Sequence, residues 1–321
     1  MKAIGGFLPY DTLFSEKSTS LKNKIMLSSG RSSLYVILTT TKPSKVYLPY
    51  YICDEILRPL QYLNINFEFY SINKSLEINS LPELKQDEYF LYVNYFDLKP
   101  EYIKILYSNY KSNLIIDNTQ AYFSNIGCPT FSFNSARKFF GIPDGSELTS
   151  PEQVILTELP ENQPSTEYLK NKSEGNHDLA FIQYRAYEDQ ISFHPRKISR
   201  ISKNILQKLD YNQISTRRKS NYQIIKNNLE NLNELSLNFD MKNDVPLYYP
   251  FLVKSHTLRK KLLSKNIFTP ILWDDVIARN ISNYRWEKYL ATNLIPLPID
   301  QRYDSDTIND MSQLIFELTT A

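Results

Sequence analysis

The chain has 321 residues, of which 42% are apolar and 22% are charged, so it is long enough to bury a large core, and disorder or a fibrous repeat is excluded. Its 37 basic and 35 acidic side chains give a formal net charge of +2, which excludes a global attraction to polyanions. The chain has two cysteines, which indicates a reducing compartment. No apolar run reaches about 18 residues, and no secretion signal is visible. We therefore predict a soluble cytoplasmic protein without a membrane partner.

The first half of the chain alternates short apolar runs with segments of helical spacing. Strands are predicted at 46–49, 67–70, 89–94, 114–117, 130–133 and 154–157, and helices between them at 32–39, 54–63 and 100–110. This alternation is typical of βαβ units, and it predicts an α/β fold with a largely parallel sheet.

The second half of the chain is predicted to be mainly helical. A polar stretch at 158–176 predicts a loop, and apolar spacing over 198–232 predicts one or two helices. A strand at 248–253 and helices at 258–263 and 306–318 then predict a small α+β domain. We therefore expect a large α/β domain at 1–195 and a long helix with a small domain at 196–321.

Asp117 closes an apolar strand and has no basic neighbour in the sequence. Ligands of open α/β sheets bind outside the carboxyl ends of the strands, so Asp117 is a candidate site residue, and Gln120 lies near enough to share its pocket. A helix cap or a turn carboxylate is the alternative for Asp117.

Lys138 is the one lysine between Lys111 and Lys170. Its neighbour Arg137 and the apolar residues around it would lower its pKa, as a nucleophilic amine requires. A surface lysine in a connection is the alternative.

Ser32 and Ser33 follow Gly30 at a predicted helix start. Free N–H groups and the helix dipole bind phosphate at such a start, although an ordinary helix cap has the same residues.

Taken together and in this order, the segments 30–34, 117–121 and 132–138 resemble those of the fold-type I pyridoxal phosphate enzymes, and among these the DegT/StrS family of sugar-nucleotide aminotransferases. The resemblance continues through the helical segment 198–229 and the Leu-Pro stretch 294–299. It implies a large domain with a mixed, mostly parallel sheet and a smaller C-terminal α+β domain.

The resemblance also implies roles for individual residues. Lys138 would carry pyridoxal phosphate covalently and move a proton between the substrate and the cofactor. Asp117 would pair with the protonated pyridine nitrogen and keep the ring an electron sink. Gln120 would lie near the ring oxygen, and Tyr51 would stack on the ring.

The phosphate and the partner subunit complete the implied site. Ser32, Ser33 and a hydroxyl of Ser132 or Ser135 would bind the phosphate. The segment from His194 to Arg196 would reach the phosphate site of a neighbouring subunit, since these enzymes commonly form homodimers. The amino donor would be an amino acid, by analogy glutamate, and the acceptor a nucleotide-linked keto-deoxysugar for surface polysaccharide or related amino-sugar biosynthesis.

Three departures from the family pattern affect these expectations. The separation of Ser132 and Lys138 is one residue longer than in the family. Ser135 is therefore an alternative to Ser132 as the serine that binds the phosphate. The proline motif that opens the family sequence is not recognisable here, and the glycine-rich stretch after the lysine is reduced to residues 141–146.

Other functions remain open alternatives. A pyridoxamine phosphate enzyme that modifies sugars would have histidine in place of Lys138, and a non-catalytic binding protein of this fold would need neither Lys138 nor Asp117. The basic residues at 196–226 fit the solvated face of a helix better than a nucleic-acid site. The scattered histidines do not predict a metal site, and no Gly-x-Ser-x-Gly motif predicts a hydrolase.

Overall fold

The computed structural model describes residues 3–22, 24–156, 158–279 and 281–320. The strands in this part of the chain are β1 (Ile4–Gly5), β2 (Ile25–Leu27), β3 (Lys45–Pro49), β4 (Asn66–Tyr70), β5 (Glu88–Val93), β6 (Leu114–Asn118), β7 (Phe131–Asn134), β8 (Ser146–Thr149), β9 (Tyr248–Leu252), β10 (Ile267–Phe268) and β11 (Leu294–Pro298). The helices are α1 (Gly30–Thr41), α2 (Leu57–Tyr62), α3 (Pro100–Tyr110), α4 (Glu167–Ser173), α5 (His177–Gln190), α6 (Arg200–Lys208), α7 (Tyr211–Leu229), α8 (Leu258–Ser264), α9 (Asp275–Ala278), α10 (Arg285–Asn293) and α11 (Ser305–Thr320).

A seven-stranded sheet with the order β2-β8-β7-β6-β5-β3-β4 forms the centre of the first half. The strands β3 to β7 are parallel, and β8 pairs antiparallel with both β7 and β2. Asp117 pairs with Val93 of β5 and Phe133 of β7. Because parallel strands end at the same edge, the residues that follow β5, β6 and β7 meet there.

Helix α1 covers β7 and β8 on one face of this sheet. Its N-cap Ser29 accepts a hydrogen bond from the Ser32 amide, and its apolar residues Leu34, Ile37 and Leu38 are buried. Burial of this apolar side fixes the start of the helix beside the ends of the strands.

The C-terminal part packs α7 and α11 together beside the antiparallel pair of β9 and β11. The guanidinium of Arg218 in α7 is fully buried and donates to the carbonyl oxygens of Leu247 and Phe139, each at 3.2 Å. Since Phe139 follows Lys138 directly, this contact connects α7 to the segment that carries the candidate lysine.

The structure confirms most predicted elements and overturns others. The prediction of a strand at 154–157 is wrong, because residues 154–156 form no strand and residue 157 lies outside the described residues. The predicted loop at 158–176 contains α4, while β2 and β8 were not predicted. The predicted domain boundary between residues 195 and 196 stays a prediction. Strand β1, which lies before that boundary, pairs with β10, which lies after it, rather than with the large sheet.

No helix in the described residues is long and apolar enough to cross a membrane.

Candidate active site

Three elements meet at the carboxyl edge of the large sheet. Asp117 lies at the end of β6, Lys138 lies in a short 3-10 turn after β7, and Gly30 begins α1. A side chain at position 30 would lie 3.2 Å from the Thr119 methyl group and 3.4 Å from the carbonyl oxygen of Asn134. Glycine therefore allows the start of α1 to approach the ends of β6 and β7 closely.

Lys138 and Asp117 are near each other and act on each other electrostatically. Burial lowers the pKa of the Lys138 amine, and the positive charge of Arg137 acts in the same direction, while Cys53 and Asp117 oppose it. Burial also raises the pKa of Asp117, although Lys138 and a hydrogen bond from the Thr119 amide at 2.8 Å oppose this. Among the described residues, the Lys138 amine has no hydrogen bond and no ion pair within 4.0 Å. The site thus holds an amine without a partner beside a buried carboxylate.

The thiol of Cys53 is a third group in this site. Burial raises its pKa to about 11, and the negative charges of Asp117 and Asp275 add to this effect, whereas Lys138 lowers it. Sequence reasoning missed Cys53 as a site residue. The position of Cys53 shortly after the end of β3 could have indicated it, because β3 ends at the same edge of the sheet as β6.

Arg137 and Glu188 form a bidentate ion pair next to Lys138. Nη1 binds Oε1, and Nη2 lies 2.9 Å from Oε2. Burial would raise the pKa of Glu188, but the adjacent guanidinium outweighs it and the pKa is lowered. This pair holds α5 against the lysine segment, and Glu188 was another residue that the sequence did not indicate.

Gln120 lies at the same edge and is 1% exposed. Its Oε1 accepts a hydrogen bond from the Phe96 amide at 3.0 Å, which leaves its amide nitrogen free of protein partners among the described residues. The structure therefore places Lys138 within electrostatic reach of Asp117, and Gln120 follows Asp117 at the same edge. Their roles toward a cofactor stay predictions.

The hydroxyls of Ser32 and Ser33 form hydrogen bonds within the protein. Both residues are fully buried. Ser32 Oγ donates to the carbonyl oxygen of His194 at 3.2 Å, and Ser33 Oγ lies 2.8 Å from Ser146 Oγ. Both hydroxyls are hydrogen-bonded within the protein in this structure, and their role toward a phosphate stays a prediction.

Ser132 lies on the wrong face of the sheet for a phosphate role. Asp117 pairs with Phe133, so Ser132 pairs with Ile116 and points to the opposite face. There it lines a cavity of about 370 Å³ with Asn118. Neither Lys138 nor Asp117 borders that cavity, and neither borders a larger one of about 700 Å³ along α6.

Ser135 remains at the site, because it directly precedes the turn of Lys138. Its backbone carbonyl accepts from the Lys138 amide at 3.2 Å. It is 6% exposed, and its hydroxyl has no hydrogen bond among the described residues. Of the two serines that the resemblance offered, Ser135 is the one in position.

The ring of Tyr51 is fully buried among other aromatic rings. It lies edge-on to Trp273, with ring centroids 4.7 Å apart, and 5.9 Å from the ring of Tyr95. The ring is 0% exposed, so neither of its faces is open for stacking, and its hydroxyl is buried without a partner. The structure places Cys53 rather than Tyr51 beside the lysine.

His194 and Arg196 pack on their own chain. The His194 ring lies edge-on to Tyr35 and Tyr62, with centroids 5.8 and 5.1 Å away. The Arg196 carbonyl accepts from the Ser28 amide at 3.0 Å. Their predicted role toward a partner subunit stays a prediction.

No cluster of three or more His, Cys, Asp or Glu side chains in the described ranges could hold a metal ion.

Comparison with known proteins shows the fold of the chain. No protein-family model matches it, and no curated protein matches it. Among solved structures, Helicobacter pylori PseC, an aminotransferase involved in the biosynthesis of pseudoaminic acid, has a TM-score of 0.67 at 12% identity and matches 99% of this chain and 100% of its own. A DegT/DnrJ/EryC1/StrS aminotransferase from Brucella abortus has a TM-score of 0.61 at 12% identity, over 93% of this chain and 86% of its own.

A third similar structure contains a cofactor. NtdA from Bacillus subtilis, with bound PMP, has a TM-score of 0.63 at 14% identity and matches 92% of this chain and 73% of its own. The predicted fold class is therefore confirmed: the chain has the α/β fold of the fold-type I aminotransferases.

Proposed function

We propose that the protein is a pyridoxal phosphate-dependent aminotransferase of the DegT/StrS type that acts on a nucleotide-linked sugar. The observation that carries this proposal is the Lys138 amine, which has no protein partner in the described residues and lies beside the buried carboxylate of Asp117. The two residues lie in a fold that the chain shares with solved aminotransferase structures.

The donor groups of the site fit this cofactor. The lone amine of Lys138 suits its aldehyde, and the buried carboxylate of Asp117 suits a protonated pyridine nitrogen. The Ser135 hydroxyl and the backbone amides of Gly30 and Arg31 at the start of α1 suit a phosphate.

When bound, pyridoxal phosphate supplies an electron sink for the reacting carbon. Asp117 holds a proton at the pyridine nitrogen, and its burial strengthens that charge interaction. Lys138 moves a proton at the substrate carbon, and its lowered pKa keeps a fraction of the amine neutral for this purpose. Gln120 orients the ring through its free amide nitrogen.

The substrates and the assembly are also part of the proposal. An amino acid, glutamate by analogy, is the amino donor, and a nucleotide-linked keto-deoxysugar is the acceptor, in the cytoplasm and for bacterial surface polysaccharide or related amino-sugar biosynthesis. A homodimer would complete the phosphate site through His194 and Arg196 of the second copy. Support comes from the fold and from both residues being exposed at the surface.

Cofactor labelling tests the proposal directly. The protein is incubated with pyridoxal phosphate, its visible spectrum is recorded, borohydride is added, and the modified peptide is mapped by mass spectrometry. We expect a yellow protein labelled at Lys138 that glutamate bleaches. Lys138→Arg should lose both the colour and the label.

Lys172 provides a matched control for the labelling. Burial lowers the pKa of this lysine as well, but it lies over the ring of Phe7 rather than beside a carboxylate. Lys172→Arg should therefore label at Lys138 as the natural chain does. Equal labelling of the two lysines would show reactivity without a site and contradict the proposal.

The engaged hydroxyls of Ser32 and Ser33 favour a second candidate, a binding protein that keeps this fold without catalysis. A colourless protein without an adduct would support it.

A further inference from the structure

Trp273 has a backbone conformation that bulky residues rarely adopt. It lies between β10 and α9 with φ of 61°, in the left-handed region. The side chains of L residues crowd the backbone there, so such a residue persists only where its surroundings determine it.

The indole of Trp273 borders the carboxyl edge of the large sheet. Its ring meets Tyr51 at 4.7 Å and Tyr95 at 6.1 Å, in both cases edge-on. These tyrosines follow β3 and β5, whose ends share the edge with Asp117. Trp273 is only partly buried, so part of its ring faces outward from this contact.

The indole N–H of Trp273 has no acceptor in the described residues. The other tryptophan, Trp286, donates from Nε1 to the carbonyl oxygen of Asn73 at 3.0 Å. A tryptophan that packs into a protein usually satisfies this group. The N–H group of Trp273 is therefore available to an acceptor from outside the chain.

Asp275 follows Trp273 closely and reaches into the same site. Its Oδ2 accepts from the Asp54 amide at 2.5 Å, which places the carboxylate next to Cys53, and the Cys53 thiol in turn acts electrostatically on Lys138. Its other oxygen has no hydrogen bond among the described residues. An aromatic ring, an N–H donor and a carboxylate acceptor thus lie at the sheet edge that also carries Asp117.

We propose that Trp273 and Asp275 determine substrate specificity by binding the sugar ring. The indole packs against the C–H face of a pyranose, its N–H donates to a sugar oxygen, and the free oxygen of Asp275 accepts from a sugar hydroxyl. An aromatic ring beside a carboxylate suits a sugar, which has an apolar face and a rim of hydroxyls. This inference rests on the proposed function and names the residues that would hold its sugar.

Calorimetric titration with UDP-N-acetylglucosamine and dTDP-glucose tests the inference on the protein loaded with pyridoxal phosphate. At least one of these sugars should bind the natural chain. We expect Trp273→Ala and Asp275→Asn each to weaken that binding about 10-fold or more, which is the loss of one good contact, and Trp273→Phe to restore part of it. Trp286→Phe is the matched control and should bind as the natural chain does.

The Trp273→Gly variant distinguishes a role of Trp273 in sugar binding from a role in packing alone. Glycine adopts the left-handed conformation freely, so the variant relieves the backbone while it removes the ring. We expect its thermal midpoint to stay within a few degrees of the natural chain and its sugar affinity to fall as for Trp273→Ala.

The outcomes distinguish this inference from the proposed function. Failure of the natural chain to load pyridoxal phosphate at Lys138 overturns both. Two outcomes overturn this inference alone, each with normal loading of pyridoxal phosphate at Lys138. One is an unchanged sugar affinity of Trp273→Ala, and the other is no binding of either sugar by the natural chain.

Discussion

Replacing Asp97 by Asn should stabilise the protein at neutral and alkaline pH. Asp97 is 2% exposed and has φ of 61°, a conformation that asparagine tolerates well. Its carboxylate accepts from the Val245 amide at 3.1 Å and from Asn94 Nδ2 at 3.3 Å. An amide at position 97 keeps one acceptor oxygen and puts an NH₂ group in place of the other, so one of these two hydrogen bonds is weakened.

The expected gain follows from the pKa of Asp97. Burial raises this pKa from 3.8 to about 8, the nearby Asp244 adds to the effect, and the hydrogen bonds oppose it. The folded protein therefore keeps a proton that the unfolded chain releases, and stability falls as the pH rises from 3.8 to about 8. At about 1.4 kcal/mol per pH unit, the upper limit of this loss is about 6 kcal/mol. Weaker hydrogen bonding in the amide variant offsets part of it, so the expected gain above pH 8 is about 2 to 4 kcal/mol.

Denaturant unfolding at pH 4, 6, 7 and 8.5 measures this effect. We expect Asp97→Asn to match the natural chain near pH 4, to exceed it increasingly toward pH 8.5, and to have a flatter dependence on pH. The exposed Asp87→Asn serves as the control and should leave the profile unchanged. A variant that is less stable than the natural chain at pH 8.5, or an unchanged pH slope, would refute the reasoning.

Two further predictions concern buried contacts near the site. Glu188→Gln should lower the free energy of unfolding by about 2 to 4 kcal/mol, because it leaves the Arg137 cation without its carboxylate, whereas the exposed Glu167→Gln should not. Since the pKa of Glu188 is lowered from 4.5, its contribution is present above that pH and is lost as the pH falls below it, so an equal loss in the variant at pH 3 and pH 7 would contradict this. Gly141→Ala should destabilise by about 3 kcal/mol or more in denaturant unfolding, because the new methyl group meets the backbone of Pro9 and Asp11. Gly127→Ala is the control: nothing lies within 4 Å of its new methyl group, so only the strain of its positive φ should destabilise it, and by less. A similar decrease in the free energy of unfolding of the two variants would show that the backbone at Pro9 moves easily to accept the methyl group.

The central strands were predictable because burial on both faces makes them continuous apolar runs. The predicted strands at 46–49, 67–70 and 114–117 each match an observed strand to within one residue at either end. The apolar run at 154–157 had the same appearance but finds no pairing partner at 154–156. Pairing depends on the remainder of the chain, so β2 and β8, which are short and lie toward one edge, gave no such local signal.

The site was predictable where chemistry follows a strand end directly. Asp117 and Lys138 met this condition, and the structure brings them together. Ser132 failed because a single residue of register turns a strand side chain to the other face. Glu188 and Asp275 reach the site only through tertiary packing of α5 and the C-terminal part, which no local pattern indicates.

The pairing of β1 with β10 has a consequence for how the chain assembles during synthesis. Ile4 pairs with Ile267, so the ribosome adds 263 residues (267 minus 4) before the partner of Ile4 exists. Contacts this distant in sequence form late, because closing a long loop is entropically unfavourable. The first described residues to leave the ribosome are therefore among the last to dock, and until then the backbone at Ile4 and Gly5 stays open to solvent and to proteases.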